Sequence, residues 1–197
     1  MRLFRRGTFT SAWTTLALAS IVFYGELFLI PLHYQQNAGT SALTAGLLLA
    51  VQSLGAFGSR SLAPTLTTRW GTRTCAYLYI GSTVLGTLPF AFSSGSAPLL
   101  LVSQVAGLLL RGGGLGALTV LCMSATYHQL DADEIVHAST AGRLATQFGS
   151  AAGVAVCALL VAVTDGIHPV TFAALTAVTA LMTVTAVRLP DGEVVRN

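Results

Sequence analysis

The sequence predicts an all-α membrane protein built from six transmembrane helices, and three observations lead there. Of 197 residues, 53% are hydrophobic and only 9% are charged, against about 25% charged in ordinary soluble domains. Mean hydropathy is +0.72. The apolar residues also fall into six long runs separated by short polar breaks, and a spanning helix needs about 20 such residues. So few charges could not cover a water-exposed surface of this size. That excludes a soluble enzyme, a disordered tail and a nucleic-acid binder, despite a pI near 9.0. The lipid bilayer is the first partner the sequence implies.

The first run, residues 10–32, follows Arg2, Arg5 and Arg6 and contains Ala17-Leu18-Ala19, a pattern that also suits a signal peptide. It continues through Ile21, Val22 and Phe23 to Ile30, too long for a signal's apolar stretch, so it reads as a span. Runs over 41–63, 74–92, 97–123, 137–163 and 169–187 supply the others. The breaks at 33–39, 64–73, 93–96, 127–136 and 164–169 carry Gly, Pro, Asn, Asp and Ser, the residues of turns. Strands fit poorly, because the runs are too long and too rich in Leu, Ala and Gly.

Charge placement predicts the orientation. All ten basic residues are arginine. With six spans, the amino terminus, the second and fourth breaks and the carboxyl terminus share one side, which holds Arg2, Arg5, Arg6, Arg69, Arg73, Arg188 and Arg196. The three breaks on the other side hold none. The positive-inside rule places both termini in the cytoplasm, and the acidic fourth break (Asp131, Asp133, Glu134) counts for little against it. A short match, AxTAGxL, links residues 42–48 to 138–144 at an offset of 96. It suggests a three-plus-three repeat in which the second and fifth helices are equivalent.

A charge at membrane depth costs about 2.5–3.5 kcal/mol on insertion scales, so each survivor needs a partner or a wet cavity. Glu26 lies in the outer half of the first helix, sharing a face with Thr15, Ala19 and Val22. It suits proton exchange, or a structural acid that pairs with an arginine or reaches the outer interface. Arg111 sits near the middle of the fourth helix with Gln104 on the same face, beside Gly112, Gly113, Gly114 and Gly116. These glycines allow close helix approach or a bend. Arg143, Gln147 and Ser150 share a face of the fifth helix, with Arg143 near enough to its cytoplasmic end to snorkel; Gly149 and Gly153 form a packing GxxxG. Arg60 ends the second helix beside the cytoplasm and is expected to snorkel, leaving Gln52 as the better cavity residue there. Cys75, Cys122 and Cys157 are widely spaced without a CxxC and read as small packing residues.

Enzyme signatures are missing. Ser150 and His168 sit at different depths, so no intramembrane Ser–His pair forms. His33, His128 and His137 fall in breaks or at helix ends without metal-ligand spacing, and neither a P-loop nor a dinucleotide fingerprint appears. No metal and no cofactor is implied.

Four stretches, in order and spacing, resemble the second half of Major Facilitator Superfamily transporters, closest to the fourteen-span drug:proton antiporters of the EmrB/QacA type. Residues 3–9 are similar to their "LFRNRxF" entry and residues 23–36 to "YGSLFLLPLYLQ". Residues 110–116 resemble "RGLGLG", and 143–155 resemble "RQLGGSLGVA". Between the second and third helices, Leu66, Arg69, Gly71 and Arg73 agree with the cytoplasmic loop motif "GxLADRxGxR", while Thr68 replaces its acid and Pro64 its first glycine. In the family that acid helps latch one conformation through charge pairs, and here the acid is missing; Glu26 departs from the small residue usual at its position.

The resemblance implies one six-helix half bundle with a three-plus-three pseudo-repeat, multi-pass in a bacterial plasma membrane. It implies efflux of small amphipathic compounds or drugs by proton antiport, with Glu26, Gln52, Gln104, Arg111 and Gln147 as cavity or coupling residues. A complete member has a second half, so the chain is expected to be a fragment, to pair with a separate six-helix half, or to form a homodimer. The alternative is a non-transporting membrane scaffold or degenerate remnant, whose polar residues only hold helices together.

Overall fold

A computed structural model describes residues 7–36, 39–92, 98–127, 130, 132–164, 169–187 and 189. They form α1 (Gly7–Gln36), α2 (Ala42–Trp70), α3 (Thr72–Phe92), α4 (Pro98–Tyr127), α5 (Ala132–Val163) and α6 (Pro169–Ala186). Five of these are long and apolar enough to cross a bilayer. Over the described residues α3, which opens on Thr72-Arg73-Thr74, is not among them. The chain is thus the all-helical membrane bundle that its composition implies. Arg2, Arg5, Arg6, Arg188 and Arg196, which carry much of the orientation argument, lie outside the described residues, as do His128, Asp131, His168 and most of the 3–9 motif.

Two helix ends correct the sequence reading. The second helix does not stop at 63 but runs to Trp70 with Pro64 inside it. A mid-helix proline frees the carbonyl four residues back, here that of Arg60, and membrane helices tolerate such residues. The expected break over 64–73 shrinks to Gly71, at φ 81°, whose N–H donates to the Thr67 carbonyl at 3.0 Å while its own carbonyl accepts from Cys75 at 3.2 Å. Likewise α5 begins at Ala132 rather than 137, so Glu134 falls in its first turn, where the helix dipole favours acids.

At the opposite end α1 is closed by Thr40, whose N–H and hydroxyl both donate to the Tyr34 carbonyl, at 3.0 and 2.9 Å. Ser41 then caps α2, accepting from the Thr44 N–H at 3.2 Å.

α1 packs along α5 and α6, α4 along α2 and α3, α3 meets α6, and α1 touches α4. Exchanging α1–α3 with α4–α6 maps this pattern onto itself. The inner pair is α1 and α4: 50% and 61% of their spanning windows are buried, against 17% in α2 and in α5. The AxTAGxL copies do not follow this exchange closely, because Ala42 and Gly46 are exposed whereas Ala138 and Gly142 are buried.

Glycine makes three of the contacts nearly backbone on backbone. A Cβ at Gly112 would collide with the Gln52 carbonyl, and one at Gly116 would lie 2.7 Å from Ala56 Cα. One at Gly114 would strike the Tyr79 carbonyl of α3, whereas Gly113 has its nearest neighbours at 3.7 and 3.8 Å. On the other side, Gly149 would meet the Ala17 carbonyl at 2.6 Å and Gly153 would collide with that of Ile21.

The apolar core is divided in two. One cluster gathers Ala12, Leu16, Val22, Cys75, Leu115, Leu118, Cys122 and Met182 toward the Trp70 end of the bundle. The other gathers Leu29, Ile30, Tyr34, Phe90, Leu108, Cys157, Phe172 and Leu175 toward the Gln36 end. Along α1 the division falls between Val22 and Leu29, and along α4 between Leu108 and Leu115.

Candidate functional site

The residues standing at that division are Glu26 and Arg111. Both side chains are fully buried, and they form an ion pair between Glu26 Oε1 on α1 and Arg111 Nη2 on α4. Glu26 is ten residues from the Gln36 end of its helix, or about 15 Å at 1.5 Å per residue, well inside a hydrocarbon core of about 30 Å. A charge so deep survives by neutralising a partner. The pair is not saturated: Glu26 Oε2 and Arg111 Nε and Nη1 make no hydrogen bond among the described residues.

α3 and α2 enclose the arginine. A Cβ at Gly86 would lie 2.8 Å from the Arg111 backbone nitrogen, and Gln52 presses on Gly112 from the other side. Because α4 side chains tilt toward their own amino terminus, Arg111 reaches toward the Gln36 end, where its Cζ lies 5.4 Å from the Phe90 ring centroid. Such a contact adds about 2 kcal/mol when desolvated. Phe90 stacks on Phe172 at 5.5 Å and 27°. His33 meets Tyr34, Phe90 and Phe172 edge-on at 5.6, 5.9 and 5.4 Å. An aromatic plug from α1, α3 and α6 therefore closes the Gln36 side of the ion pair.

On the Trp70 side lies a cleft of about 80 Å³, lined by Ser20, Phe23 and Tyr24 of α1, Arg60 of α2, Leu115, Gly116 and Thr119 of α4, and Thr146 of α5. Drug-sized ligands occupy pockets of about 300–1,000 Å³, so this cleft alone holds only part of such a molecule.

Of the five cavity residues expected from sequence, four are buried: Glu26, Gln52, Gln104 and Arg111. Gln52 is 1% exposed and neither of its amide atoms has a partner among the described residues. Gln147 does not join them; it is exposed on α5, as is Arg143. Arg60 is not at a helix end, because α2 continues ten residues beyond it. In the loop motif, Leu66 and Arg69 lie in the last turns of α2, Gly71 is the turn and Arg73 sits in the first turn of α3. All three cysteines are buried. Sequence reasoning missed Tyr34, Phe90 and Phe172, since single aromatics near span ends read as interfacial anchors; nothing in their spacing signals that three helices bring them together.

A profile of the Major Facilitator Superfamily matches residues 1–154. The chain is 28% identical over 120 residues to an "Uncharacterized MFS-type transporter YvkA" of Bacillus subtilis (strain 168), covering 60% of this chain and 27% of that protein. It is 26% identical over 160 residues to a "Multidrug resistance protein B homolog" of Mycobacterium tuberculosis (strain ATCC 25618 / H37Rv), covering 81% of this chain and 30% of that one. The matches thus span less than a third of either relative's length. With two inner helices joined by a buried ion pair, and with most of its length matched by the family profile, this chain belongs to the Major Facilitator Superfamily of membrane transporters.

Proposed function

We propose that the chain is one six-helix half of a proton-coupled exporter of small amphipathic compounds, with the Glu26–Arg111 pair as its coupling element. The observation that carries this is the pair itself, a carboxylate and a guanidinium fully buried between the two inner helices. A proton arriving on Glu26 cancels the attraction and strands the Arg111 charge, so α1 and α4 no longer hold one arrangement. A proton and the cargo then favour opposite arrangements, which is the requirement for antiport. The multidrug label of one relative supports the cargo class by analogy only.

The orientation we adopt puts the Trp70 end, with Arg69 and Arg73, in the cytoplasm, so the cleft opens inward and the aromatic plug faces out. The membrane is the bacterial plasma membrane. The little-buried α2 and α5, with exposed Leu43, Leu47, Leu54, Phe57, Phe148 and Leu159, are the faces on which a second half or a second copy completes the cavity.

The test is pH-jump flux in proteoliposomes carrying the chain in its native assembly. Glu26→Gln is expected to abolish proton-driven efflux while cargo binding persists. Unchanged efflux would reduce Glu26 to a structural acid, and absence of any flux from the native assembly would favour the scaffold reading.

A further inference from the structure

Arg60 stands apart from the buried pair and was expected to reach the cytoplasmic surface. The structure gives it a different setting. It lines the cleft beside Phe23, Tyr24 and Thr146, ten residues before Trp70 on a helix of 29. That helix spans about 43 Å at 1.5 Å per residue, more than the thickness of a hydrocarbon core of about 30 Å. The Arg60 Cα is therefore about 15 Å from the helix end, and the residue is exposed, like Arg143. The direction of the side chain matters as well. Helical Cβ atoms tilt toward the amino terminus, and α2 begins at the far end of the bundle, so Arg60 leans toward the membrane centre. Arg143, on α5, begins from the other end and leans outward. Snorkelling suits Arg143 and works against Arg60.

The surroundings of Arg60 offer further groups. Pro64 has no N–H to return to the Arg60 carbonyl. Ser20, Thr119 and Thr146 bring hydroxyls from three other helices. Phe23 and Tyr24 form an edge-to-face pair at 5.4 Å and 86°, an aromatic wall on the same cleft. A guanidinium presents a planar fork of donors suited to carboxylates and phosphates.

We propose that Arg60 is the cargo headgroup receptor, and that the cargo is an amphipathic anion whose acid group pairs with Arg60 while its apolar body lies against Phe23 and Tyr24. This rests on the transporter reading above and narrows its cargo class. It keeps the cargo site distinct from the proton site: Tyr24 is two residues from Glu26, and Leu115 is one helical turn from Arg111. Cargo on Arg60 and a proton on Glu26 therefore compete through the arrangement of α1 and α4 rather than for one atom.

The experiment measures binding of naphthylbutyrate, and of naphthylbutylammonium of the same length, to the native assembly in nanodiscs of zwitterionic lipid. The carboxylate is expected to bind and the ammonium not. Arg60→Gln should weaken the carboxylate about ten- to a hundredfold, and Arg60→Lys less. Equal binding of both probes, binding of neither, or a carboxylate affinity indifferent to Arg60→Gln would overturn the assignment. A second arm adds phosphatidylglycerol: Arg60-dependent capture of this lipid without naphthylbutyrate binding also overturns it, making Arg60 a lipid contact. Proton-driven flux of a probe without charge preference would refute the anionic cargo and spare the transporter. Arg60-dependent carboxylate binding with no flux would do the reverse.

Discussion

Glu26→Gln keeps the shape of the side chain and deletes one charge of a pair that is 0% exposed on both sides. Removing one member of a buried pair costs about 3–5 kcal/mol, because the other charge stays buried without compensation. The two single substitutions should differ. A stranded carboxylate can discharge by taking a proton, whereas a guanidinium cannot, and its contact with Phe90 at 5.4 Å is present whether or not Glu26 is charged. Glu26→Gln should therefore lie toward the upper end of the range and Arg111→Gln toward the lower. The double variant Glu26→Gln/Arg111→Gln buries two neutral amides and should recover most of the loss. The coupling read from the cycle would then be about 3 kcal/mol or more, far above the few tenths seen between independent sites. Unfolding of the purified protein in mixed micelles titrated with SDS measures all four forms. Single variants each within about 1 kcal/mol of the parent, with a double equal to their sum, would mean that the pair carries no net interaction, and the coupling mechanism would fall with it.

Gly112→Ala is expected to destabilise by about 1–3 kcal/mol through overpacking against the Gln52 carbonyl. Gly113→Ala, with its nearest neighbours at 3.7 and 3.8 Å, should be neutral or slightly stabilising; the same titration compares them. Gly71→Ala forces a non-glycine residue to φ 81° and should cost about 1 kcal/mol or more although nothing crowds the site. Phe90→Ala should cost about 3–5 kcal/mol and open the plug, so that Cys157, buried in the same cluster, reacts with a membrane-impermeant maleimide added outside. Cys75 and Cys122, in the other cluster, should stay protected; equal labelling of all three would argue against a gate confined to one end.

The helices were legible because membrane folding writes its signal in long apolar runs. Their ends were less so: Pro64 and the charge at Glu134 look like breaks in a linear reading, yet in the fold they are a tolerated mid-helix proline and a favoured first turn. Glu26 and Arg111 stood out for their cost at depth, and a pairing with some arginine was one reading of Glu26. Their mutual contact was not visible, since nothing local ties residue 26 to residue 111. Gln147 shows the converse limit: its depth was legible, but its exposure on α5 depends on which helices pack against that face. Arg60 was misjudged because its distance from a surface depends on where α2 ends.

The division of the apolar core at Glu26 and Arg111 has an energetic consequence for motion. In a single continuous core, parting the helices at one end would loosen contacts all along their length, and the cost would grow with every layer exposed. Here a polar layer separates two clusters, each closed on its own. Prising apart the Phe90–Phe172 end exposes that cluster and leaves the Cys75–Met182 end packed, and the reverse holds equally. The bundle can therefore work as a lever over a fixed fulcrum, with the ends taking turns to pay for opening. In the proposed cycle the electrostatic bond at the fulcrum, rather than the hydrophobic effect, would decide when the lever tips.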